Sequence, residues 1–278
     1  MAERRGDEHS SPLAHPALSL ARKLVLAPLL VVQAVRTRRR APVLPEAAGP
    51  REGTGGRGAG RVVRVLVIGD SSAAGVGVAH QDEAVIGHLV RTLAAERTGP
   101  IEWRLRAKSG LTTREVHAML EGDPPPPADV AVVVTGVNDV IGQIPARRAL
   151  GHRAALADWL LESQLAQHVV FAPLPPMHQF PLLPEPLRRV IGDDARRHDR
   201  ALAAWAATRA DVSHARIALA LTPATMASDG FHPGEPVYRA CGEALGRHVA
   251  RLTGGLFAAT CLRHTGTQEP ANGPEEGR

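Results

Sequence analysis

The chain has 278 residues, 44% of them apolar and only 3% aromatic, enough for one large or two small domains with an aliphatic core. Its formal charge of +5 is uneven: residues 1–64 hold 12 Lys and Arg against 5 Asp and Glu, while the remainder is near neutral at 21 against 23. This neutral body and the scarcity of stacking aromatics argue against nucleic-acid binding. The cysteines, Cys241 and Cys261, are too few for a disulfide framework or a zinc site and fit a reducing compartment.

Residues 1–40 read as a basic N-terminal arm with a short apolar helix. Its apolar stretch, Leu24–Val35, falls well short of the roughly 20 residues that span a bilayer. A secretory signal would carry small residues and a cleavage site after such a stretch; here the arginine cluster Arg36–Arg40 follows. Two readings stay open: a helix packed on the domain, or one lying on an anionic membrane face with its arginines among the headgroups. The expected location is cytoplasmic, peripheral at the inner membrane face under the second reading. Residues 41–61 are rich in Pro and Gly and read as a linker.

Residues 62–254 carry alternating strand and helix signals. Val62–Ile68 is a near-continuous aliphatic run, as expected of a strand buried on both faces. Val85, Leu89 and Leu93 recur at helical spacing. Ile101–Leu105 is a weaker strand, and Thr112–Glu115 ("TTRE") is a capping-box pattern opening a helix. A buried strand at Val130–Thr135, a helix over 147–167 and a strand at His168–Ala172 follow. Next come a helix over 185–210, a last strand at Val212–Leu219, and a helix from about Pro233 to Leu252. The alternation predicts an α/β fold, a three-layer sandwich with a mainly parallel sheet. Residues 255–278 turn polar and read as a disordered tail.

The first buried strand breaks into "IGDSSAAGVGV" (Ile68 to Val78). A phosphate loop needs four residues between its glycines and then Lys; Gly69 and Gly75 enclose five, and no Lys follows. A dinucleotide fingerprint fails because His80 stands in place of its third glycine, and a nucleophile elbow fails at Ala73. What remains is Ser71, directly after "GD" at the carboxyl end of a strand, where sites form in such folds.

Four blocks in order, "IGDSS" (68–72), "SGLTT" (109–113), "TGVND" (135–139) and "DGFHP" (229–233), resemble those of the SGNH, or GDSL-type, hydrolases over about residues 62–252. The resemblance implies a flavodoxin-like α/β/α sandwich with about five parallel strands. It implies Ser71 as nucleophile, His232 as general base with Asp229 as its partner, and an oxyanion hole from Ser71 N–H, Gly110 N–H and the Asn138 amide. Block two departs from the pattern, because Lys108 and Ser109 precede its glycine where a polar Asn is usual.

These residue types suit acyl transfer. A serine hydroxyl needs a base within hydrogen-bond reach, and imidazole has an ordinary pKa of about 6.5. Asp229 sits three positions before His232, so one turn of chain can bring carboxylate and ring together. Asp70 and Asp139 are read as hydrogen-bonding within their own loops. Met177, Phe180, Leu182 and Leu183, in the proline-rich stretch after the fourth strand, are the candidate hydrophobic substrate wall.

The expected activity is hydrolysis of carboxylic esters or thioesters through an acyl-enzyme, with no metal and no organic cofactor. The partner is a small-molecule or lipid-like acyl ester, not a nucleic acid. The alternatives are an acyltransferase on the same site and a non-catalytic membrane-associated binding module. The sequence does not fix the oligomeric state.

Overall fold

The computed structural model describes residues 16–265, with side chains described over 23–254. In chain order the elements are α1 (Pro16–Arg40), β1 (Glu52–Gly55), β2 (Val63–Gly69), α2 (Val85–Glu96), β3 (Ile101–Ala107), α3 (Thr113–Gly122) and β4 (Ala128–Val134). There follow α4 (Val137–Ile141), α5 (Ala146–Glu162), β5 (Ala166–Phe171), α6 (Leu187–Ala206), β6 (Val212–His214) and α7 (Glu235–Thr265).

The strands form one six-stranded sheet in the order β1-β3-β2-β4-β5-β6. All neighbours are parallel except β1 with β3. Alternation along the strands divides the core. Leu66, Ile68, Ala131, Val133, Val169 and Phe171 face α3, α5 and α6. Val65, Val67, Val130, Val132 and Val170 face α2 and α7. Each such side chain, fully buried, contributes about 1.5–3 kcal/mol, which is why aliphatic runs without polar alternation become the central strands. The result is the expected α/β/α sandwich, with the five parallel strands in flavodoxin-like order. Its topological switch lies between β2 and β4, the adjacent strands from which the chain turns in opposite directions.

Several local expectations hold. The α3 capping box forms, with Thr112 and Glu115 each bonding the other's backbone N–H. On α2, Val85, Leu89 and Leu93 are buried. Several boundaries differ. α5 ends at Glu162 rather than near Gln167, because Gln164 turns the chain at φ +55° and β5 begins at Ala166. β6 stops at His214, because the alternating Ile217, Leu219 and Leu221 leave the sheet to wall a cavity. α1 covers 25 residues, well beyond its apolar stretch. α7 does not end near Leu252: residues 255–265, read as tail, continue it, since no proline interrupts them and Gly254–Gly255 only lower helix propensity. The remaining tail, 266–278, lies outside the described residues.

Residues 41–61 do not act as a linker throughout, since β1 lies within them and forms the sheet edge. Its glycines let the chain lie against the Trp103 ring, which a Cβ on Gly53 would meet at 2.9 Å. Arg51 fixes the register: its guanidinium donates to Ala107 O at 2.6 Å and pairs with Glu46, and its carbonyl accepts from Leu105 N at 2.7 Å. Composition hides this strand because its stability comes from anchors outside the strand residues themselves.

A chain beginning at residue 62 would lose these anchors and bare the β3 edge. Relative to a chain beginning at residue 42, its melting temperature should fall by at least about 4 °C, since each kcal/mol is worth about 2–4 °C at this size. Circular-dichroism melts of the two truncations check this; equal melting temperatures would make 42–61 a linker after all.

Candidate active site

The sheet brings the loops after β2, β3 and β4 side by side. Gly69 pairs with Ala107 on one side and Val134 on the other, so the three strands end level. Lys108 N donates to Gly69 O at 3.2 Å, and Asp70 N donates to Val134 O at 3.2 Å. Ser71, Gly110 and Asn138 lie two, three and four residues beyond these paired positions. The neighbouring loops that hold them sit at the carboxyl edge, by the switch point.

Ser71 sits in a helical turn closed by Ala74 N to Asp70 O at 2.9 Å and Val76 N to Ser71 O at 3.0 Å. Its Oγ lies 3.1 Å from His232 Nε2. His232 Nδ1 lies 2.5 Å from Asp229 Oδ2, while Asp229 Oδ1 accepts from the N–H groups of Phe231 and His232, both at 2.9 Å. Burial works against charge on Asp229, yet the bonds from the His232 ring and the two N–H groups hold its carboxyl below its ordinary range. Two contacts join the Ser71 and His232 segments: Tyr238 Oη donates to Val76 O at 2.7 Å, and Gly77 packs so closely that a Cβ would meet Pro233 O at 2.3 Å. Gly77, at φ +109°, therefore sits against the His232 loop, whereas Gly75 packs against Ala47 and Ala84.

The donors meet the remaining expectations in different degrees. Neither Ser71 N–H nor Gly110 N–H has an acceptor among the described hydrogen bonds. Gly110 is exposed at φ +84° with open space around it. The Asn138 amide donates one hydrogen to Leu111 O at 2.9 Å and keeps a second.

Residues 67–240 match the sequence profile of the GDSL-like lipase/acylhydrolase family. The chain belongs to that family. It is similar to a GDSL-like esterase of Mycobacterium tuberculosis, 30% identical over 240 residues, which are 78% of this chain and 74% of that one. Among solved structures, a lipase/acylhydrolase from Enterococcus faecalis superposes with a TM-score of 0.52 at 17% identity, covering 68% of this chain and 95% of the other. A member of the lipolytic G-D-S-L family from Veillonella parvula gives 0.50 at 16% identity, covering 66% and 96%. At such identities these two speak for the fold. The protein is thus a GDSL-type carboxylic ester hydrolase.

Within this GDSL-type site, Asp139 reaches beyond its own loop. It is fully buried and accepts from Thr113 N at 3.0 Å, Thr113 Oγ1 at 2.6 Å and Arg153 Nη2 at 3.1 Å. Arg153, also fully buried, enters from α5 beneath Gly136, where a Cβ would stand 2.2 Å from its Nη2. The pair locks the loop after β3 to the loop after β4. Sequence reading missed Arg153, although a charge among the inward-facing Ala149, Leu156 and Leu160 was the available signal. It also missed Glu46, whose Oε1 accepts from Ser109 N at 2.7 Å beside Gly110. Burial opposes the Glu46 charge, but the Ser109 bonds and Arg51 hold its carboxyl below the usual range.

An apolar cavity of about 70 Å³ opens beside Ser71 and His232. Of the four residues in the candidate substrate wall, Phe180 lines it. Met177 and Leu183 are buried in the core against α6, and Leu182 braces the His232 loop by donating its N–H to Gly230 O at 3.0 Å.

Asp70 does bond within its own loop, accepting from Ser72 N at 3.0 Å, while its Oδ2 is buried without a partner among the described residues. Burial pushes its carboxyl up to about 7. The unfolded carboxyl titrates near 3.9, so the native state holds the proton more tightly. Its contribution is fully present below about pH 4 and is lost as pH rises through about 7. Asp70→Asn removes that loss. The variant should gain stability over the parent progressively from pH 4 to 8, by up to about 4 kcal/mol, read from urea denaturation at each pH. A difference independent of pH would refute this.

Proposed function

We propose that this hydrolase cleaves carboxylic esters or thioesters through an acyl-enzyme on Ser71. The observation that carries the reading is the continuous run from Ser71 Oγ to His232 Nε2 at 3.1 Å and from His232 Nδ1 to Asp229 Oδ2 at 2.5 Å. In the first step His232 Nε2 takes the hydroxyl proton as Ser71 Oγ attacks the acyl carbonyl carbon. The carbonyl π electrons move to oxygen, and the oxyanion accepts from Ser71 N–H, Gly110 N–H and the second Asn138 amide hydrogen. One such donor is typically worth about 10²–10³ in turnover. The tetrahedral intermediate collapses, the carbon–oxygen or carbon–sulfur bond breaks, and the imidazolium returns its proton to the leaving alcohol or thiol. Water then repeats the sequence on the acyl-serine. Asp229 keeps the proton on Nδ1 and steadies the imidazolium, in keeping with its lowered pKa. No step calls for a metal or organic cofactor.

Ser71→Ala should lower turnover of p-nitrophenyl acetate by at least about 10³-fold and abolish labelling by a fluorophosphonate probe, with an unchanged circular-dichroism spectrum. Retention of most activity would sink the assignment.

The arm supports a peripheral role at an anionic membrane, at its cytoplasmic face. α1 turns its more polar side inward: Lys23 donates to Asp194 at 2.5 Å, and Gln33 bonds Glu185 O at 2.6 Å and Leu187 N at 3.2 Å. Leu24, Val25, Leu29, Val31, Val32 and Val35 point outward, and Arg36 and Arg38–Arg40 at the same end are exposed. This inverts the ordinary arrangement of a surface helix and matches one lying in a lipid interface. No helix among the described residues is long and apolar enough to cross a membrane.

The full chain should sediment with phosphatidylserine-containing vesicles and less with pure phosphatidylcholine, each arginine contributing about 1 kcal/mol near the surface. Val25→Glu with Val32→Glu should cut the bound fraction at least about tenfold while leaving p-nitrophenyl acetate hydrolysis unchanged. Absence of vesicle binding by the full chain would end this reading.

A further inference from the structure

The cavity beside Ser71 runs inward along α7. Its mouth holds Ser71 and His232, and its wall holds Phe180 and Phe231, whose rings meet edge to face at 5.1 Å. Beyond them it follows α7. Tyr238, Cys241 and Leu245 all line it, at spacings of three and four residues, which puts them on one stripe of the helix. Since α7 begins just after His232, each of these residues lies farther from the base than the last. At about 1.5 Å per residue, Leu245 stands roughly 10 Å along the axis from Tyr238. Leu245 is fully buried behind Cys241, and burial pushes the Cys241 thiol up to about 12, so this end is lined by apolar groups.

We infer that this cavity is an acyl-chain pocket whose inner end, formed by Cys241 and Leu245, restricts the enzyme to short acyl groups of about four to six carbons. The inference rests on Ser71 being the nucleophile. The acyl group stays on the enzyme between the two half-reactions, so it suits a pocket that runs inward. The alcohol must leave before water enters, and it suits the open side, where Lys108, Ser109 and Gly110 are exposed. The length follows from volume. A water-sized position takes about 10–15 Å³ on this measure, so 70 Å³ offers about five to seven such positions, one for the carbonyl oxygen and the rest about one per carbon of a short chain. No Lys or Arg lines the cavity, its ionisable groups Asp70 and His232 lie at the Ser71 end, and the Tyr238 hydroxyl is already committed to Val76 O. Each methylene taken into the pocket should raise kcat/KM about fourfold until the space is full. Longer chains must push the end wall aside.

The test is a p-nitrophenyl ester series from two to twelve carbons on the wild type, Leu245→Ala and Cys241→Phe. The wild type should peak at four to six carbons and fall at least about tenfold by ten carbons. Leu245→Ala should move the peak outward by about two carbons, because it opens the end wall. Cys241→Phe should lower the ratio of hexanoate to acetate turnover more than about tenfold. The acetate ester separates the two readings: a failed nucleophile assignment leaves acetate turnover intact in Ser71→Ala, whereas a failed pocket leaves the length profile unmoved in both pocket variants. Should Cys241→Phe lose acetate turnover through misfolding, Cys241→Leu must shorten the preferred length in its place. A wild-type profile that is flat or rises to twelve carbons overturns the pocket.

Discussion

The buried pair of Arg153 and Asp139 is the constraint on which the site's geometry depends. Two charges withdrawn from water cost several kcal/mol each, and their attraction offsets this only when the remaining bonds are well made. Asp139 meets that condition with Thr113 N–H and Thr113 Oγ1, and Thr113 in turn touches Thr135 at 3.0 Å. Arg153 meets it only in part, since Nε and Nη1 have no hydrogen-bond partner among the described residues. An arrangement this costly has one geometric effect. It fixes the loop carrying Gly110 against the loop carrying Asn138, the two proposed sources of oxyanion donors outside the nucleophile turn. Gly136 at φ +121° gives the guanidinium room to reach them.

Around this pair the molecule braces each loop from a different element. Glu46 holds the backbone at Ser109, Tyr238 holds the nucleophile turn at Val76, and Leu182 holds the histidine loop at Gly230. The Tyr238 and Leu182 braces are single neutral hydrogen bonds, net worth about 0.5–1.5 kcal/mol each, and the bond to the Glu46 carboxylate about 1.5–3 kcal/mol. Together they come from the N-terminal segment, α7 and the stretch after β5. Preorganisation of this kind is what oxyanion stabilisation requires, because donors that must reorganise during the reaction lose their advantage.

The parts legible in the sequence were those whose signal is local. β2 and β4 are written as aliphatic runs broken only by Arg64 and Asp129 near their starts, and α3 announces itself by Thr112 and Glu115. The proposed triad is legible because its residues sit in short blocks at strand ends. The parts that escaped depend on distant partners. β1 consists of Glu, Gly, Thr and Gly, of which Thr54 alone favours strands, and exists through Arg51 and Trp103. The reach of Asp139 into the neighbouring loop is set by Thr113 and by Arg153 from a later helix. The aliphatic run after Val212 reads as strand by its alternation, yet Ile217, Leu219 and Leu221 alternate along a cavity wall instead. Period-two spacing reports one buried side and leaves open what lies on that side.

The hydrogen bond between His232 and Ser71 joins residues 161 positions apart in the chain. A ribosome delivers Ser71 long before the histidine loop and α7 emerge, and domains form as their chain becomes available. On the proposed triad, the serine during that interval has a strand and a turn but no base to take its proton. Hydrolytic competence would then arrive in one late step, when α7 docks against α2 and the sheet. The growing chain is spared a reactive serine among the lipids and thioesters of its surroundings until the fold is nearly complete.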